Sequence, residues 1–184
     1  MTKFADIRKY TKPPCYHANI SLDYLEPHIQ NYIKEFNCQL DPDFQRGHVW
    51  SEDKQIAYVE FLIRGGQSAK DIYFNMPYWM RWRKTDFFLN KDACMVLVDG
   101  KQRIESIRKF TRNEIPVFGY TLNEYEDAFA ISNIHLDFYV NNLITRKEVL
   151  QWYLDLNTGG VVHTTKEIEK VKKLLEKENN DNRK

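Results

Sequence analysis

Apolar positions along the chain follow two periods in turn, helical and alternating, and their succession predicts a mixed α+β domain. Residues 16–20 read as a short strand. Leu25, Ile29, Tyr32, Ile33 and Phe36 then share one helical face, so 22–36 reads as an amphipathic helix started by Ser21, with Pro27 confined to its first turns. The stretch 40–50 is too rich in turn formers and polar groups for a regular element and is expected as an ordered loop. Ser51 caps a second helix carrying Ile56, Val59, Leu62 and Ile63, which Gly65-Gly66 stop. Strands are expected over 71–76 and 93–98, then a short helix marked by Ile104, Ile107 and Phe110. Residues 115–120 read as an edge strand because Pro116 removes one ladder donor, and 134–140 as a further strand. Thr145 with Glu148, and Thr164 with Glu167, give capping-box patterns ahead of two C-terminal helices, joined by Asn157-Thr158-Gly159-Gly160. No internal repeat is visible.

The chain is 184 residues long, enough for one domain with a sizeable core. It divides into a polar, proline-interrupted arm (1–15), the domain itself (16–175) and a polar tail expected to fray (176–184). A hydrophobic content of 42% excludes a disordered chain. A mean hydropathy of −0.63 and the lack of a long uncharged apolar run exclude a membrane span. With 27 basic and 26 acidic residues the net charge is +1, so any charged site must be local. Lys3 and Asp6 stand where a secretory signal needs apolar residues, so a cytoplasmic site is expected. Cys15, Cys38 and Cys94 form no metal or redox pair, and the five histidines, His17, His28, His48, His135 and His163, show no paired-ligand spacing. No structural metal is expected.

The sharpest chemical feature is the strand-to-helix junction Asp99-Gly100-Lys101-Gln102-Arg103. A helix N-terminus offers unpaired N–H groups and a positive dipole end, so phosphate is favoured there and Arg103 can bind it bidentately. Asp99 can hold a magnesium ion or a ribose hydroxyl, and Gln102 can orient water or read a base. The plainer alternative has Asp99 capping the helix, Gly100 turning the chain and Arg103 meeting a surface carboxylate. The loop residues Gln45 and Arg46, between Phe44 and Trp50, can form the other wall of such a site or simply belong to an anchored loop. In the excursion 77–88, Trp79, Arg81, Trp82, Arg83 and Lys84 interleave aromatics with cations as single-strand binders do, or form a hairpin whose rings cover the sheet.

Taken in order, Pro42-Asp43-Phe44-Gln45-Arg46 with Trp50-Ser51, then Asp99 to Arg103, then Asn157 to Gly160, resemble the GmrS-like domain. That family is the N-terminal half of GmrSD-type modification-dependent restriction systems, within the ParB/sulfiredoxin-like superfamily. The resemblance implies an α+β domain with a small mixed sheet, which binds and in some members hydrolyses a nucleoside triphosphate with magnesium at this corner. Asp99 and Gln102 are then the catalytic candidates, and Gln45, Arg46, Gly100, Lys101 and Arg103 the phosphate-side ones. Lys101 stands where the family carries a glutamine, which adds a cation. Modified DNA is an implied partner, with a homodimer also admitted. The chain ends where restriction members continue into an HNH-type nuclease half, and it carries no metal-nuclease pattern. Cleavage is therefore expected from a separate nuclease partner. The alternative is a non-enzymatic module using the same corner to bind DNA or protein.

Overall fold

Strands form where aromatic and β-branched residues alternate with polar ones, and four such segments assemble into one sheet: β1 (Tyr16–Ser21), β2 (Asp71–Asn75), β3 (Val96–Asp99) and β4 (His135–Asn141). The computed structural model describes residues 3–7, 9, 16–45, 47, 49–79, 94–158 and 165–181. Sheet order is β1-β4-β2-β3, with β4 antiparallel to β1 and parallel to β2, and β3 antiparallel to β2. The helices are α1 (Leu25–Phe36), α2 (Glu52–Ile63), α3 (Lys101–Thr111), α4 (Arg146–Thr158) and α5 (Thr165–Asp181). Among the described residues no helix is long and apolar enough to cross a membrane.

The period-two pattern sends Ile72, Phe74, Phe138 and Val140 to one sheet face, where all four are fully buried with Ile29 of α1, Val59 of α2 and Ile107 of α3. A smaller cluster gathers Phe44 and Val98 with Leu150, Trp152 and Tyr153 of α4 and Val171 of α5. The edge strand β3 is thereby anchored on both sides, and its C-terminal end, where the sequence places its chemistry, rests on two cores.

Most helix boundaries follow local signals. Ser51 Oγ accepts from Lys54 N at 3.4 Å to cap α2, and Gly65 at φ +84° ends it. Two expectations need correction. Ser21 does not start α1, because Leu22 N–H donates to Ile134 carbonyl at 2.9 Å, which keeps 21–24 in a turn. Residues 115–120 add no strand to the sheet. Phe118 (φ +49°) and Gly119 (φ +85°) instead make a tight turn closed by Val117 and Tyr120, with Ile115 and Val117 buried as its anchors.

One ion cluster ties α1 to α3. Glu26 accepts from Arg108 Nε at 2.7 Å, Arg112 Nη2 at 3.0 Å and Gln30 Nε2 at 2.8 Å. The Arg108 hydrogen bond holds its carboxyl at about 2, against an opposing push from burial. Because the folded value is depressed, the stabilisation is present above the unfolded value of 4.5 and is lost as pH falls from there toward 2. Glu26→Gln is expected to cost about 1–2 kcal/mol at pH 7, allowing for screening of a partly exposed carboxylate. Urea melts of both proteins from pH 7 to pH 3 check this: the gap must narrow below pH 4.5, and a constant gap contradicts it.

Candidate functional site

β3 ends in Asp99, and the chain turns sharply at Gly100, whose φ of +102° is a conformation L residues rarely adopt. A Cβ on Gly100 would stand 2.5 Å from Ile72 Cδ1 and 3.3 Å from the Ile72 Cα, so the junction lies directly on β2. α3 begins at Lys101 with Gly100 as its N-cap, no side chain capping it and no acid in its first turn. The positive end of an eleven-residue helix is thus flanked by two cations, Lys101 and Arg103.

Each cation has carboxylate company. Lys101 Nζ lies 2.5 Å from the exposed Asp41 Oδ1. Arg103 Nη1 donates to the Asp71 carbonyl at 2.6 Å and to Asp99 Oδ2 at 3.2 Å. Its Nε and Nη2 have no hydrogen-bond acceptor among the described residues, which leaves one edge of the guanidinium for a bidentate anion. Asp99 pairs with Arg103 and does not cap α3. Beside them Tyr73 donates to Asp71 Oδ2 at 3.1 Å. Burial, reinforced by the Asp71 charge, pushes the Tyr73 hydroxyl up to about 12, so it remains a donor.

Across this helix end runs the loop 40–50, held by two amides. Gln45 Nε2 donates to the Leu97 carbonyl of β3 at 2.6 Å, inside the protein. Gln102 Oε1 accepts from Val49 N at 3.0 Å and Trp50 N at 3.1 Å, while its Nε2 donates to the Gly47 carbonyl at 3.3 Å. Phe44, buried, packs edge-on against Tyr153 of α4 at 5.3 Å. The result is a helix N-terminus carrying two cations, each paired with a carboxylate, beside a loop pinned by backbone-bonded amides.

Residues 25–184 match the family described as GmrSD restriction endonuclease, N-terminal domain. The chain belongs to this family. No curated protein and no solved structure matches it. The GmrSD match runs from the start of α1 through α5 and takes in the loop, the junction and the end of α4.

Within this GmrSD-type domain, Asp99, Gly100, Lys101, Gln102 and Arg103 share one corner, whereas Gln45 reaches Leu97 of β3, two residues before it. Gln45 and Gln102 are both buried with their amides engaged by backbone, which makes them positioning residues for the loop. Arg46 lies outside the described residues, as do His48, Arg81, Trp82, Arg83, Lys84, Gly159 and Gly160. Trp79 is half-buried, 5.0 Å from Phe36 and 5.4 Å from Tyr16, so it packs on the protein itself. Sequence reasoning missed Asp41, Asp71 and the pair of Asp43 with Arg146, whose Nη2 meets both carboxylate oxygens at 2.8 and 2.7 Å. Asp41 and Asp43 flank Pro42 in the quoted motif, but their partners lie 60 and 103 residues away and leave no local signal.

Proposed function

We propose that this chain holds a nucleoside-triphosphate-binding module of a DNA restriction and defence system, working with a nuclease partner that carries DNA cleavage. The phosphates lie on the first turn of α3, between Lys101 and the open edge of Arg103. The observation that carries this reading is the uncapped basic helix N-terminus beneath a pinned loop. Family membership supplies the restriction context.

Magnesium fits the donor set. Arg103 engages only Oδ2 of Asp99, leaving Oδ1, and magnesium on a triphosphate is typically held by one or two carboxylates together with the phosphates. The ion would neutralise charge on the phosphates, Arg103 would orient them, and Gln102 would act through the loop. A second reading, binding without turnover, draws on the engagement of Asp99 by Arg103.

Calorimetric titration with ATP, CTP, GTP and UTP in magnesium tests the proposal. At least one should bind, and Lys101→Ala should weaken it about ten- to a hundredfold, the worth of a charge-assisted contact. Lys101 is preferable to Arg103 for this test, because Arg103 also satisfies the Asp71 carbonyl and its loss costs stability. Equal affinity in wild type and Lys101→Ala removes the corner from the site. Asp99→Asn is expected to lower magnesium-dependent turnover more than binding. Binding with no turnover in wild type selects the second reading.

The isolated chain is also expected to leave DNA uncut. Incubation of modified and unmodified duplex with magnesium checks this, and nicking by the purified chain contradicts it.

A further inference from the structure

A cleft of about 250 Å³ is lined in part by the same loop that is pinned at the corner. Its apolar lining comes from Pro42 and Phe44 of the loop, from Pro77 and Val96, and from Ile144 and Val149. Gln39 and Arg146 stand among its lining residues. The volume falls just below the roughly 300–1,000 Å³ of sites for drug-sized ligands, which suits a flat heterocycle rather than a whole nucleotide.

Two chain segments, the loop and β3, run between the cleft and the corner. Asp41 turns to Lys101 on the corner side, while Pro42 and Phe44 line the cleft. β3 runs unbroken from Val96 in the cleft to Asp99 at the corner, a rise of roughly 10 Å. A ribose and its phosphates bridge such a span. Most polar groups of the cleft are already committed. Asn75 is spent on Leu143, donating to its carbonyl at 3.0 Å and accepting its N–H at 2.8 Å. Arg146 is held by Asp43 and Glu178. Gln39 has no side-chain hydrogen bond among the described residues, and its backbone is fixed to Leu97 of β3 and to Met95 just before it. It therefore presents an amide donor and acceptor from a rigid support.

We propose that this cleft is the nucleobase subsite of the chain: proline, valine and phenylalanine surfaces enclose the base, and the Gln39 amide reads its hydrogen-bonding edge. The inference rests on the proposed triphosphate corner and deepens it. It makes the ligand a nucleotide, distinguished by its base, rather than any polyphosphate.

Calorimetry with inorganic tripolyphosphate and with ATP, CTP, GTP and UTP, all in magnesium, separates the two ideas. In wild type, at least one nucleotide should bind about ten-fold or more tighter than tripolyphosphate. Ile144→Trp, at a site 40% exposed and thus open to a larger ring, fills the cleft from its rim and should bring that ratio to about one. Gln39→Ala should keep part of the ratio but blur the preference among bases. Thermal melts confirm that both variants are folded. Tripolyphosphate binding as tightly as every nucleotide, or a ratio untouched by both variants, overturns the cleft while leaving the corner standing. Failure of tripolyphosphate and all four nucleotides to bind overturns the corner and the cleft with it.

Discussion

Gly100→Ala is expected to be among the most damaging single substitutions in the chain, lowering stability by about 2–4 kcal/mol. Two causes add. An L residue at φ +102° is strained whatever the space around it, and here the new methyl would stand 2.5 Å from Ile72 Cδ1 and 3.3 Å from the Ile72 backbone. The side-chain tip can move, but the Cα belongs to a central strand with partners on both sides. Relief must therefore come from shifting Gly100, which displaces the first turn of α3 and with it Lys101 and Arg103. Gly65→Ala is the control: its φ is +84° but nothing lies within 4 Å of the added methyl, so it carries the backbone penalty alone. Thermal unfolding should place Gly100→Ala roughly 5–15 °C below wild type and Gly65→Ala between the two. Equal losses at both positions would show that the approach to Ile72 carries no weight.

Gln102→Leu should release the loop. The substitution keeps the approximate volume but removes the oxygen that accepts from Val49 and Trp50 and the nitrogen that donates to Gly47. Two partly buried N–H groups are then left without an acceptor, at a cost of about 2–4 kcal/mol together. Gln102→Glu retains an acceptor oxygen and should recover part of that loss. Hydrogen exchange gives the local readout: the Val49 and Trp50 amides should lose protection in Gln102→Leu and keep much of it in Gln102→Glu. Unchanged protection in the leucine variant contradicts the role assigned to Gln102.

What the sequence discloses and what it conceals divide by range of interaction. Ser51, Gly65 and the Thr145–Glu148 box act on backbone within four residues, so α2 and the start of α4 are legible from neighbours alone. Ser21 looks like the same kind of signal, yet Leu22 is claimed by Ile134, more than a hundred residues on. The turn at Phe118 is hidden in a similar way. A bulky residue at positive φ is locally disfavoured, but Glu60 Oε1 accepts its N–H at 3.1 Å and the Arg64 guanidinium lies 5.0 Å over its ring.

The corner shows the same division. The types Asp, Gly, Lys and Arg at a strand-to-helix junction are legible from neighbours alone and make the junction a candidate anion site. The roles of Gln45 and Gln102 stay concealed, because their partners lie 52 to 55 residues away: Gln45 is tied to the Leu97 carbonyl of β3 and Gln102 to the loop backbone.

The most direct test of the account is where a nucleotide perturbs the backbone. Amide resonances of the nitrogen-15-labelled chain should be followed during titration with magnesium and the nucleotide that binds most tightly. The account predicts the largest shifts at Gly100, Lys101, Gln102 and Arg103, with a second group in the loop around Val49 and Trp50. Shifts concentrated elsewhere in the domain, or none with any of the four nucleotides at millimolar concentration, would contradict it.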